Sequence, residues 1–120
     1  MIRALFLAAT LVAALPALAQ VQASRALGAN LRVLDKITGE VSDLDLMAGT
    51  AQEVGLLSIR LGECRFPSGN PNGDAYAQLT ITYNNLAEPA FAGWMIASAP
   101  ALNAMDHPRY DVWVLRCITS

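Results

Sequence analysis

His107 is the single histidine of the 120-residue chain, and general base catalysis or a metal site would use it first. Asp106 precedes it and Asp111 follows it closely, so a small hydrolase or metal-dependent enzyme would pair His107 with one of these carboxylates. The competing interpretation is structural, because a histidine followed by Pro108 can end a short helix, where the helix dipole favours a positive charge. The position of His107 directly before Pro108 favours the role of a helix end, and the enzyme remains the alternative.

Two serines are the other candidate nucleophiles. Ser98 and Ser68 both lie outside the G-x-S-x-G motif, which exposes a nucleophile on a tight turn. A triad of Ser98, His107 and Asp111 can be drawn because one histidine permits it, but no spacing supports the geometry. Ser98 is better placed to cap the first turn of a helix.

Carboxylates concentrate around the first predicted hairpin and raise the question of a bound cation such as Ca²⁺. These residues are Asp35, Glu40, Asp43 and Asp45. They do not follow the D-x-D-x-D-G spacing of a calcium loop, and neither does the oxygen-rich segment 70–74. We therefore predict solvated strand faces, with no metal and no cofactor.

Cys64 and Cys117 are the two cysteines of the chain. Two cysteines are too few for a cysteine-only zinc site or an iron–sulfur cluster. Their wide spacing also differs from the C-x-x-C motif of redox enzymes. The pair therefore predicts one structural disulfide, as expected of an exported protein.

The first nineteen residues read MIRALFLAATLVAALPALA, which is the pattern of a secretory signal peptide. Arg3 supplies the positive start, an apolar run follows, and Ala17-Leu18-Ala19 offers a small-x-small cleavage site before Gln20. The run is short for a membrane anchor, and no second apolar run of spanning length follows. We expect an exported domain in a bacterial periplasm that does not span the membrane after cleavage.

The charge balance excludes a nucleic-acid binder that relies on basicity, because 8 Lys+Arg face 10 Asp+Glu for a net charge of −2. The hydrophobic content of 54% excludes a disordered chain. The length allows one small domain. We assign 1–19 to the cleaved signal, 20–30 to a mobile lead-in, and 31–120 to a single β domain.

Short strands fill that domain. Segments 57–61 and 76–83 alternate apolar and polar residues, while 91–97 and 111–117 are mostly apolar. Gly39 suits the left-handed position of a hairpin turn between the first two strands. The pattern predicts a mainly β fold, either a small antiparallel β-sandwich or a partly open barrel.

One short helix is predicted near the C-terminus, over residues 98–106. Ser98 can cap its first turn, Pro100 is tolerated in that turn, and Pro108 follows its end.

Aromatic side chains and arginine concentrate in the last third of the chain. Most such aromatic residues pack in a core. The binding candidates are Trp94, Arg109, Tyr110 and Trp113, which we predict to contribute to a protein-contact groove, with arginine as an anchored rim.

A distinctive run, GWMIASAPALNAMDHP, begins at Gly93 and is followed by YDVWV and by Cys117. It resembles a family of exported alphaproteobacterial proteins known as domain of unknown function number 2155. The pattern of that family is approximately GWM-aromatic-ASSPALNALEHPVYDVWV, followed by a cysteine. Segment 34–39 and Cys64 also match its early part, so the resemblance covers 31–117.

This sequence departs from the family pattern mildly at Ile96, Ala99, Met105 and Asp106, and more strongly at Arg109, which replaces an apolar residue. The resemblance implies a bacterial periplasmic protein and brings no activity, cofactor or substrate with it.

The predicted function is a non-enzymatic interaction or accessory module for an envelope or inner-membrane complex, with a protein partner. The alternative is a small hydrolase or metal-dependent enzyme that uses His107 with Asp106 or Asp111. A sugar- or lipid-binding domain would require a concave aromatic face.

Overall fold

The computed structural model describes residues 22–120, and every regular element in this part of the chain is a β-strand. The predicted mainly β fold is therefore confirmed. The strands are β1 (Ala23–Arg25), β2 (Gly28–Asp35), β3 (Val41–Met47), β4 (Ala51–Val54), β5 (Leu57–Pro67), β6 (Tyr76–Tyr83), β7 (Phe91–Ile96) and β8 (Tyr110–Ile118).

The strands form two antiparallel sheets and not a closed barrel. The five-stranded sheet has the order β1-β5-β6-β7, with β4 also paired to β5. The three-stranded sheet has the order β3-β2-β8. Strands β3 and β8 are consequently the two edges of the smaller sheet, and within residues 22–120 each pairs with β2 alone.

The chain passes from one sheet to the other between β1 and β2. The Ala26 N–H donates to the Cys64 carbonyl of β5 at 2.8 Å, and the Leu27 N–H donates to the Ile118 carbonyl of β8 at 2.8 Å. Strand β1 and the start of β2 fall within residues 20–30, the segment predicted to be a mobile lead-in. Strand β1 is short and largely exposed, so it lacks the alternation that identifies a strand.

The core lies between the sheets and is filled by alternate residues of the long strands. For example, Leu61 of β5 and Leu79 of β6 are direct cross-strand neighbours, and both are fully buried. Their counterparts on the smaller sheet are Leu31 and Val33 of β2 and Val112 and Val114 of β8. Burial of each such aliphatic side chain stabilises the fold by about 1.5–3 kcal/mol.

Cys64 and Cys117 form the predicted disulfide, with their Cα atoms 5.8 Å apart. Cys64 belongs to β5 and Cys117 to β8, so the bridge joins the two sheets covalently. Both cysteines are buried in the shared core. The described residues include no free cysteine.

The predicted helix over 98–106 is wrong, because this segment consists of turns and irregular chain. The Ser98 hydroxyl and N–H both donate to Asp74, so Ser98 ties two loops together and caps no helix. The Asn103 side chain donates to the Trp94 carbonyl at 2.8 Å, and Met105 is buried in the core. Tertiary contacts therefore override the local helix signals in this segment.

The predicted signal peptide, residues 1–19, lies outside the described residues. Within residues 22–120 there is no helix long and apolar enough to cross a membrane.

Reduction of the Cys64–Cys117 bridge is expected to lower the free energy of unfolding by about 4 kcal/mol, because the bridge restricts the unfolded chain across a separation of 53 residues. Urea denaturation with and without reductant measures this loss. The double variant C64A/C117A is the matched control, which should be destabilised and insensitive to reductant. Equal midpoints for the oxidised and reduced protein would contradict the expectation.

Candidate functional site

His107 caps the beginning of β8. Its Nδ1 accepts hydrogen bonds from the backbone N–H groups of Arg109 at 3.1 Å and Tyr110 at 3.2 Å. Its ring lies against Tyr83, with the centroids 4.5 Å apart. Because Nδ1 is occupied as an acceptor, the neutral ring carries its proton on Nε2. His107 therefore acts in a turn, and the predicted helix end is replaced by this cap.

The candidate catalytic residues have separate partners. The Ser98 hydroxyl donates to Asp74 Oδ2 at 2.5 Å, while Asp111 Oδ1 lies 3.6 Å from Lys36 Nζ. His107 is engaged by backbone amides, and Asp106 is exposed. A triad needs a nucleophile bonded to a base and the base bonded to an orienting carboxylate. The contacts of these residues do not build that chain, so the enzymatic alternative is not favoured.

Asp74 is held in its charged form by the loops it joins. Burial alone would raise the pKa of Asp74, but donors from Ser98 and from the Ala75 backbone hold that pKa below its usual range. The ionised Asp74 carboxylate accepts these hydrogen bonds, and the Ser98 hydroxyl keeps its proton. The hydrogen bonds between Ser98 and Asp74 consequently hold loop 68–75 against segment 97–105.

Arg109 forms an ion pair with Asp35. Its Nε and one terminal nitrogen donate to the carboxylate at 3.3 and 3.0 Å, and its guanidinium lies 5.1 Å from the centroid of Tyr110. The Arg109 bonds are the first cause that lowers the pKa of Asp35, followed by the N–H groups of Ile37 and Thr38, with burial opposing them. The pair fixes the first hairpin to the chain that enters β8.

Asp43 and Asp45, two other acidic residues near the first hairpin, also have individual partners. Asp43 accepts two bonds from Arg32, which lower its pKa, and Asp45 accepts a bond from Asn30. Within residues 22–120, no three His, Cys, Asp or Glu side chains are grouped as a metal site would require. These residues form cross-strand pairs on the outer face of the three-stranded sheet.

The four predicted binding residues occupy different environments. Tyr110 is 2% exposed, and its hydroxyl accepts the Leu56 N–H at 3.2 Å, so it belongs to the core. Trp94 is half-buried on β7 of the five-stranded sheet, 5.6 Å from the Arg65 guanidinium. Trp113 lies on β8 of the other sheet, and Arg109 is paired with Asp35. The predicted single groove is therefore divided between two sheets.

An apolar groove does lie beside β8. Its volume is about 360 Å³, and its lining residues are Arg32, Ala97, Pro100, Trp113, Val114 and Leu115. We call this the β8 groove. Trp113 is the one predicted binding residue in its lining. Sequence reasoning missed Leu115 and Pro100. The uncharged run from Val112 to Leu115 does indicate an apolar strand, but only Leu115 in it is exposed.

Asp35→Asn is expected to destabilise the domain near neutral pH and to lose this effect in acid. Because the pKa of Asp35 is lower in the folded protein, its ionised form stabilises the fold fully above the unfolded-state pKa of about 4. That stabilisation disappears as the pH falls through the folded-state pKa. Urea unfolding of both proteins at pH 7 and at several values below 4 measures the difference.

Glu53→Gln, on exposed strand β4, changes the charge equally and serves as the control. A destabilisation by Asp35→Asn that stayed constant at the lowest pH would contradict the role of the ion pair.

Two comparisons place this chain among known proteins. The family described as "Uncharacterized protein conserved in bacteria (DUF2155)" matches residues 29–117. "Uncharacterized protein RP359" of Rickettsia prowazekii (strain Madrid E) is 32% identical over 87 residues, which cover 70% of this chain and 56% of that relative. This chain thus spans little more than half the length of that relative. No solved structure matches this chain. The chain belongs to the DUF2155 family of bacterial proteins.

Proposed function

We propose that the protein is a non-enzymatic interaction module of the bacterial cell envelope, exported to the periplasm, which binds a protein partner through the β8 groove. The observation that carries the proposal is the groove itself, where Trp113, Leu115 and Pro100 present apolar surface. Leu115 is 40% exposed in the free chain. Aromatic side chains in such concave apolar surfaces supply much of the affinity of protein interfaces.

Two further observations support this proposal. The buried disulfide suits an oxidising compartment, in agreement with the signal-peptide pattern of residues 1–19. Ser98 and His107 make their hydrogen bonds to other parts of the fold. The groove is therefore better supported as the functional surface than a catalytic site built on these two residues.

Trp113→Ala is expected to reduce recovery of the partner at least tenfold when the tagged protein is purified from crosslinked envelopes, because loss of a central aromatic contact costs about 2 kcal/mol or more. Quantitative mass spectrometry of the co-purified proteins measures the loss. Trp94→Ala is the matched control, since Trp94 lies on the other sheet. Equal recovery with Trp113→Ala and the wild-type protein would contradict the groove as the binding site.

His107→Ala tests the enzymatic alternative directly. In a strain that lacks the gene, this variant is expected to restore the phenotype as the wild-type protein does, provided that it accumulates to the same level. Immunoblotting gives the level, and thermal unfolding of the purified variant shows whether the cap on β8 is needed for stability. A folded, abundant variant that fails to restore the phenotype would favour an enzyme.

A further inference from the structure

His107 holds the entry into β8 through a hydrogen-bond acceptor. It is the single histidine of the chain, and its Nδ1 accepts the backbone N–H groups of Arg109 at 3.1 Å and Tyr110 at 3.2 Å. A neutral imidazole has one acceptor nitrogen, because its other nitrogen bears a proton. Both backbone hydrogen bonds therefore depend on the one lone pair of Nδ1.

Protonation of the ring removes this lone pair. In the charged form both ring nitrogens are donors, so Nδ1 would direct its own N–H at the two backbone N–H groups that it binds in the neutral form. Three donors without an acceptor cannot share this position, and the ring must separate from the backbone of residues 109–110. Histidine is the side chain that ordinarily changes charge between about pH 5 and about pH 8.

The groups that contact the ring do not stabilise its charged form by a hydrogen bond. The rings of Tyr83 on β6 and Tyr110 on β8 lie against it, with centroids 4.5 and 5.9 Å from that of His107. The Arg109 guanidinium is bonded to Asp35. In residues 22–120 no carboxylate forms an ion pair with the His107 ring.

Two further charged side chains lie beside the backbone of His107. The Lys36 ammonium donates to the His107 carbonyl at 2.5 Å and lies 3.6 Å from Asp111 Oδ1. Asp106 precedes His107 in the chain and is exposed. A protonated ring would therefore add a positive charge to the end of the molecule that already holds the Lys36 and Arg109 cations.

We infer that His107 is a pH-sensitive latch on the start of β8, closed when its ring is neutral and open when the ring is protonated. The open state exposes the backbone N–H groups of Arg109 and Tyr110 to water. Opening is local, because Arg109 keeps its ion pair with Asp35 and the buried Tyr110 hydroxyl keeps its bond from the Leu56 N–H. This inference goes beyond the proposed function and does not depend on it.

Hydrogen exchange of the purified protein, followed by NMR at about pH 7.5 and about pH 5, tests the latch across the range in which histidine changes charge. The protection factors of the Arg109 and Tyr110 amides, corrected for the intrinsic pH dependence of exchange, should fall at least tenfold at the lower pH. The Leu61 amide, which donates to the Thr50 carbonyl at 3.0 Å, should keep its protection. Hydrogen bonds from Arg109 hold the pKa of Asp35 below its usual range, so Asp35 stays ionised at both values.

His107→Asn is the matched variant. An asparagine side-chain oxygen accepts N–H groups two residues further along the chain, and it does not titrate. Asparagine before proline also favours a turn, so Pro108 suits this change. In His107→Asn the amides of Arg109 and Tyr110 should be protected equally at both pH values.

Three outcomes would overturn the latch. Constant protection of the wild-type amides between the two pH values would show that the bonds to Nδ1 survive acid. An equal fall in His107→Asn would assign the pH dependence to another group. A fall shared by the Leu61 amide would indicate general unfolding instead of local opening.

Discussion

The arrangement of this domain depends on how β8 is attached to it. In the part of the chain that the structure describes, β8 has one neighbouring strand, β2, and the bridge from Cys117 to Cys64 joins it to the other sheet. Its inward side chains, Val112 and Val114, complete the core between the sheets. Because these attachments use one edge and one face of the strand, Trp113 lies on the opposite face, where it lines the β8 groove.

The distinctive C-terminal motif acts as a connector that brings β7 to β8. Asp74 bonds Ser98 at one end of the connector, and the Asn103 side chain bonds the Trp94 carbonyl in the middle. Gly93 permits this close approach, because a Cβ there would lie 3.2 Å from the Asn103 side-chain nitrogen. At the far end, His107 caps β8. The motif therefore contributes Ala97 and Pro100 to the lining of the β8 groove and leads into the start of β8.

Arg109 illustrates how a charged side chain is accommodated beside the core. It is only partly exposed. It bonds Asp35 and lies over the Tyr110 ring, so its charge is neutralised and its stem packs on an aromatic surface. The sequence alone suggested a binding role for Arg109, because the residue 74 positions away that pairs with it was not apparent.

Features of the fold that depend on neighbouring residues could be predicted from the sequence, whereas those that depend on contacts distant in the chain could not. The alternation in 57–61 and 76–83 identifies β5 and β6 because each buries every second residue. The helix over 98–106 was wrong because Ser98 has the residue type of a helix cap, while Asp74, which actually binds it, lies 24 residues away. The groove could not be located because it requires the strand order. The binding prediction therefore included Trp113 and omitted Pro100.

The pairing of β2 with β8 also has a consequence for how the molecule forms. The two strands come from opposite ends of the described chain, and the ion pair beside them joins residues 74 positions apart. Contacts of such long range delay folding, because the intervening loop must be closed before they can form. During synthesis, β2 cannot pair with β8 until the whole segment between them has also been made. The smaller sheet is therefore completed later than the β5–β6 pairing, which joins strands that follow each other directly in the chain.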